Sequence, residues 1–194
     1  MVNTDRKHLP AGSTSWLAAY EAEFKAAHPK YAAQDKIVVA DCDGVITTSQ
    51  SLYTEGGKSA KIYGAYDKEM VRLMQRLGWK FVFVSTDRAG FGITKARFDH
   101  LNSDGSMRLL PLSPRERRTL VEFHASRGTP TCFVGDSLSD IDALDAATVA
   151  CTTANAPAEV KKYCDVVSEL DGGWGGFADA LFEMNVLLAA RMPG

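Results

Sequence analysis

A chain of 194 residues with a 45% hydrophobic and a 24% charged share has the makeup of one sizeable domain with a real core. Its 22 basic and 24 acidic residues leave a formal charge of −2, which excludes a broad cationic field for nucleic acid or an anionic membrane. Any anionic ligand has to be held locally.

In chain order, Ser13 or Ser15 caps a first helix with Trp16, Leu17, Tyr20 and Phe24 at helical spacing, and Pro29 ends it. This helix reads as packed on the domain rather than awaiting a partner, so residues 1–35 form a helical extension to a domain over 36–194. Ile37 to Ala40 reads as a strand, Lys68 to Leu77 as a helix, Lys80 to Ser85 as a strand and Gly92 to Leu101 as a helix. Met107 to Leu110 is a short strand, after which Ser113 and Pro114 open a helix that ends near Arg127. Thr131 to Val134 is a strand, Leu138 to Ala146 a helix and Thr148 to Cys151 a strand. Pro157 opens a short helix, Asp165 to Val167 is a last strand, and Phe177 to Arg191 is helical. Strands and helices taking turns imply a mostly parallel sheet covered on both faces.

One stretch breaks the alternation. Leu52 and Tyr53, then Glu55 to Lys58 with its Gly-Gly pair, then Lys61 to Tyr63 read as a hairpin too small to be a second domain. The four cysteines, Cys42, Cys132, Cys151 and Cys164, show no CxxC or metal-ligand spacing and read as small core residues in a reducing compartment. No run of about eighteen apolar residues offers a membrane span, and the first residues lack an apolar signal core. The cytoplasm is the expected location.

In an open parallel sheet, ligands bind beyond the carboxyl ends of the strands, and there this sequence concentrates its chemistry. The first strand ends in Asp41 and Asp43, the second in Ser85, Thr86, Asp87 and Arg88, and the fourth in Gly135, Asp136, Ser137 and Asp140. Residues two apart on a strand share a face, so Asp41 and Asp43 point toward one site while Cys42 points into the core. Three converging carboxylates repel one another unless a cation neutralises them, and a hard divalent ion such as Mg2+ suits oxygen ligands and phosphoryl transfer. Each motif alone reads equally as a turn or a helix cap. Their order carries the specificity: apolar strand and DxDG, apolar strand and STxR, apolar strand and GDxxxD.

With the motifs DCDGV, FVFVSTDR and FVGDSLSD, the sequence resembles the haloacid dehalogenase superfamily of aspartate-nucleophile phosphatases. It is most similar to the minimal-cap branch that holds the 3-deoxy-D-manno-octulosonate 8-phosphate phosphatases and related sialic-acid-pathway phosphatases. That finer likeness rests on DGVITTSQSLYTEGGKSAKIYGAYD, a hairpin ending at Asp67, and on GGWGGFADAL; it spans roughly Lys36 to Leu181. The resemblance implies a three-layer α/β/α, Rossmann-like fold with a small β-hairpin flap instead of a cap domain. It implies Mg2+-dependent phosphomonoester hydrolysis on a small phosphorylated sugar acid or sugar. Asp41 is then the nucleophile and Asp43 the general acid and base, with the Asp43 carbonyl, Asp41 and Asp136 holding the metal and Asp140 behind them. Thr86, or Ser85 one residue earlier, binds a phosphoryl oxygen. Arg88 binds an anionic part of the substrate or caps the site by ion pairing, and Lys58 and Lys61 contact an acidic substrate or are merely solvated.

Two departures stand out. Such phosphatases usually place a lysine before the fourth-strand motif, yet no lysine lies between Phe98 and Asp136. Arg115, Arg117 and Arg118 are the substitutes on offer, and Arg115 is chosen by position. Lys68 stands where the octulosonate enzymes commonly have glycine. Small-cap members commonly assemble as homotetramers in which a neighbour completes the site, so a homo-oligomer is expected here, with Gly172, Gly173, Trp174, Gly175 and Gly176 as a flexible loop and contact. Two other readings stay open: a phosphoacceptor signalling domain, and a catalytically silent binding protein.

Overall fold

Strand β1 (Lys36–Asp41) is buried along its whole length, and its side chains divide the interior in two. Val38 and Ala40 belong to one apolar cluster, Ile37 and Val39 to the other, as expected where a strand alternates between two covered faces. The structure, a computed structural model, describes residues 15–102 and 104–191. Around β1 lie β4 (Trp79–Val84), β5 (Arg108–Leu110), β6 (Thr131–Val134), β7 (Val149–Thr152) and β8 (Val166–Val167), in the order β5-β4-β1-β6-β7-β8 with every pair parallel.

On the Val38 side pack α1 (Trp16–Ala27), α2 (Pro29–Ala33), α3 (Asp67–Arg76), α4 (Phe91–Leu101) and α8 (Gly176–Arg191). On the Ile37 side pack α5 (Pro114–Ala125), α6 (Ile141–Ala146) and α7 (Ala158–Lys161). This is the expected three-layer α/β/α arrangement with a mostly parallel sheet. Side chains such as Phe81, Phe133 and Phe177 are almost fully buried, each contributing about 1.5–3 kcal/mol by removal from water.

Ser15 caps α1, its side chain accepting from the Ala18 amide at 3.2 Å. Ser13, the other candidate cap, lies outside the described residues. Pro29 also opens a second short helix at its first position, where a missing N–H is harmless. Tyr31 then donates to Asn185 Oδ1 on α8 at 2.8 Å, and the Trp79 indole N–H donates to the same oxygen at 3.2 Å. The Lys36 ammonium sits 4.4 Å from the centre of the Tyr31 ring and donates to the carbonyls of Tyr31 and Gln34. The N-terminal helices are thus tied into the main core.

The hairpin is longer than its apolar runs suggest: β2 (Thr47–Thr54) pairs antiparallel with β3 (Gly57–Tyr63). Most of β2 is polar and exposed, so it lacks the apolar alternation that identifies a strand from sequence. Among the described residues, no helix is long and apolar enough to cross a membrane.

Candidate active site

The sheet reverses its winding direction at β1, since β4 lies on one side of it and β6 on the other. Register puts Asp41 level with Val84, and Ala40 level with Val134. The residues just past β1, β4 and β6 therefore meet at one crevice, which is where open α/β sheets bind ligands. One carboxylate oxygen from each of Asp41, Asp136 and Asp140 lies within 4.8 Å of the others.

Each of the three carboxylates is held differently. Asp41 Oδ1 accepts from the Cys42 amide at 2.8 Å and faces Arg117 Nη2 at 3.2 Å. Fully buried Asp140 takes Arg117 Nη1 on one oxygen and the Ser137 amide and hydroxyl on the other, so it braces the site from behind. Asp136 Oδ2 accepts from Asn155 at 3.0 Å, whereas Oδ1 is buried without a partner. Burial and the nearby Asp140 hold the Asp41 carboxyl well above the usual range, with Arg117 and the Cys42 amide pulling it down and Asp136 adding to the rise. Burial, then Asp140, pushes Asp136 up to about 7. A buried, unpartnered carboxylate oxygen beside two more carboxylates is a donor set that suits a hard divalent cation.

Gly44 makes the crowding possible. It adopts φ 82°, and a Cβ there would lie 1.8 Å from Asp136 Oδ2. Its carbonyl accepts from Thr153 Oγ1 at 3.0 Å and from Asn155 Nδ2 at 3.1 Å.

Arg117, rather than Arg115 chosen by position, stands beside the Asp41 and Asp140 carboxylates. Arg115 is exposed, and its carbonyl accepts from Thr119, while Arg117 is 1% exposed and reaches both Asp41 and Asp140. The reason is helical phase. Arg117 lies four residues before buried Val121, on the face that packs against the sheet, and Arg115 lies off it. The Ser113 capping box with Glu116 fixes where that helix begins. This signal was present in the periodicity.

Asp43 turns toward the hairpin. Its Oδ2 pairs with Lys61 Nζ at 2.8 Å, and Lys61 also meets Asp87 Oδ2 at 2.7 Å and Thr94 Oγ1 at 2.9 Å. Lys58, expected to face substrate, instead pairs with Asp87 at 2.6 Å. Burial works against both charges, yet the pairing raises the pKa of Lys61 and holds Asp87 well below the carboxylate range. On β3, Lys61 shares its face with Tyr63, which packs on the core, and this explains why it points inward.

Past β4, Ser85 is buried and its hydroxyl accepts from the Asp87 amide at 3.2 Å. Thr86 is exposed, with its hydroxyl 3.5 Å from Arg117 Nη2, and so faces the Asp41 side. Beside it opens a cavity of about 480 Å3 lined by Thr86, Arg88, Phe91, Pro111 and Leu112 among others. Arg88 is exposed at this cavity.

No family model matches the chain. A curated relative, the 3-deoxy-D-manno-octulosonate 8-phosphate phosphatase of Haemophilus influenzae, is 26% identical over 148 residues, covering 74% of this chain and 79% of that one. Among solved structures, the cobalt-bound form of the deoxy-D-mannose-octulosonate 8-phosphate phosphatase from Haemophilus influenzae superposes with a TM-score of 0.67 at 23% identity, over 84% of this chain and 93% of that one. The Moraxella catarrhalis octulosonate 8-phosphate phosphatase, in complex with magnesium, phosphate and its KDO molecule, gives 0.64 at 16% identity, over 87% and 99%. At these identities the solved structures speak for the fold alone. Fold, order of strand-end motifs and curated relative thus agree: the chain has the fold of the octulosonate 8-phosphate phosphatases and is similar to them in sequence.

Proposed function

We propose that this protein hydrolyses the phosphomonoester of a small sugar acid or sugar, using Mg2+ and a phosphoryl group carried transiently on Asp41. The observation that carries the reading is the meeting of Asp41, Asp136 and Asp140 within 4.8 Å at the strand ends, with buried Arg117 between two of them. Asp41, Asp136 and the Asp43 carbonyl would hold the metal, which when bound offsets negative charge on the phosphoryl group.

The chain's own residues supply the rest. Asp41 attacks phosphorus, and the ester oxygen leaves with a proton from Asp43. Asp43 then takes a proton from the water that attacks the same phosphorus, the bond from phosphorus to the Asp41 oxygen breaks, and inorganic phosphate leaves with Asp41 restored. Arg117 and Thr86 face the oxygens of the group in transit, and the guanidinium fork suits that geometry. The cavity beyond Thr86 receives the leaving group, with Arg88 placed for an anionic part of it. Relatives named as octulosonate 8-phosphate phosphatases favour a sugar acid. Exposed Leu52, Tyr53 and Ile62 on the hairpin favour self-association, with a homotetramer as the proposed state. Free, largely buried cysteines favour a reducing compartment, the cytoplasm.

Phosphate release from a panel of phosphorylated sugars, sugar acids and nucleotides, with and without Mg2+, tests the reading. Mg2+-dependent release is expected, fastest on a sugar-acid phosphate. A panel on which nothing turns over with Mg2+ present would remove the proposal.

A further inference from the structure

Asn155 lies in the turn after β7, outside every motif that carries the phosphatase chemistry, yet its side chain ties three loops together. Its Nδ2 donates to the Gly44 carbonyl at 3.1 Å and to Asp136 Oδ2 at 3.0 Å, and its Oδ1 accepts from the Gly172 amide at 2.6 Å. The partners dictate the orientation of the amide. A carbonyl and a carboxylate only accept, and a backbone N–H only donates, so the reverse orientation would lose all three bonds.

The loops could not meet so closely by chance packing of larger residues. A Cβ on Gly172 would lie 1.9 Å from the Gly44 carbonyl oxygen, and one on Gly44 would lie 1.8 Å from Asp136 Oδ2. Asn155 sits where these contacts converge, and it spends both its amide hydrogens there. Fixing Oδ2 of Asp136 fixes the rotation of the whole carboxylate. The remaining oxygen, Oδ1, is buried without a partner in the group formed with Asp41 and Asp140.

The geometry points to Asn155 as a positioning residue: it holds Asp136 in the one orientation that presents Oδ1 to a divalent cation, while locking the Gly172 loop to the nucleophile loop. This rests on the reading of Asp136 as a metal ligand. An amide suits the position because it donates to a carboxylate without adding charge. Aspartate would keep the acceptor for Gly172 but would set a further carboxylate oxygen against Asp136 and the Gly44 carbonyl. Outer hydrogen-bond partners of metal ligands commonly govern affinity by about 10–100-fold.

Titration calorimetry with Mg2+ alone tests the role on the parent chain and on Asn155→Ala, Asn155→Asp, Asn155→Ser and Asp136→Asn. The expected result is a Kd for Mg2+ weakened about 10–100-fold in Asn155→Ala and Asn155→Ser, and further in Asn155→Asp. Metal-free melting of Asn155→Ser is expected to stay close to that of the parent, with kcat restored by excess Mg2+ and KM for an aryl phosphate unchanged. Parent-like Mg2+ affinity in the Asn155 variants, with affinity lost in Asp136→Asn, overturns the role of Asn155 alone. Parent and Asp136→Asn behaving alike overturns the metal reading of Asp136 and the proposal with it.

Discussion

Arg117 Nη2 stands 3.2 Å from Asp41 Oδ1, while Nη1 of the same guanidinium pairs with Asp140. One buried arginine from α5 thus serves both the residue read as nucleophile and the carboxylate that braces it. Its planar fork reaches two carboxylates at once, which a lysine ammonium, a single point charge, does not do in the same fixed geometry.

Removing that guanidinium leaves two buried carboxylates without their counter-charge. Arg117→Ala should therefore lower stability by about 3–5 kcal/mol and abolish turnover. Arg117→Lys keeps the charge but not the fork, and should retain partial stability with much reduced kcat. Exposed Arg115→Ala should change stability by less than about 0.5 kcal/mol. Urea unfolding and steady-state kinetics on the three variants check this; equal effects at both positions would contradict the assignment.

Asp41→Asn should separate activity from stability. The variant loses a carboxylate that burial and Asp140 make costly to ionise, and its side-chain oxygen can still accept from the Cys42 amide. Turnover should fall by at least about a thousandfold, equivalent to about 4 kcal/mol, while the melting temperature stays level or rises. A Asp41→Asn protein with appreciable turnover would show that another group attacks phosphorus.

Lys61 joins the hairpin to the site through Asp43 and Asp87. In Lys61→Met, Asp43 loses its ammonium partner and kcat should drop about 10–100-fold, or about 1.4–2.7 kcal/mol. Lys58→Ala leaves Lys61 in place, and its effect should be markedly smaller. Kinetics together with limited proteolysis of residues 47–63 would register both the loss of rate and the loosening of the flap.

Gly44→Ala introduces a Cβ at φ 82° and 1.8 Å from Asp136 Oδ2. Left-handed backbone alone costs an alanine about 1–2 kcal/mol, and Asp136 must also move. The expected outcome is a lower melting temperature and a much smaller thermal shift on adding Mg2+. A parent-like Mg2+ shift would mean that Asp136 does not need its present place.

Asp67 is buried at the start of α3 with one oxygen unpartnered, and burial raises its carboxyl from 3.8 to about 6, with Arg97 pulling it down. Between these values the folded chain holds the proton more tightly than the unfolded chain. This group therefore favours folding at low pH, and stability declines as pH rises toward about 6, by about 3 kcal/mol in all. Asp67→Asn should erase that slope, so the variant gains on its parent by about that amount between roughly pH 4 and 7. Chemical denaturation across the range reads it directly; a constant difference would show an unshifted Asp67.

The strand-end motifs were legible because they are local: an apolar run fixes a buried strand, and the next residues must emerge where parallel strands end. Alternating strands and helices likewise determined the layers and placed Asp41, Thr86 and Asp136 at one edge. Partner choice was not local. Whether Arg115 or Arg117 turned inward depended on the phase of α5 against the sheet, and whether Lys58 met substrate or Asp87 depended on how the hairpin leaned on the β4 loop. Asn155 carried no sequence signal of its own, since a lone asparagine before a proline-led helix reads as an ordinary turn. Its importance comes from three loops, distant in sequence, whose polar groups had to be satisfied together once packing brought them within hydrogen-bond reach.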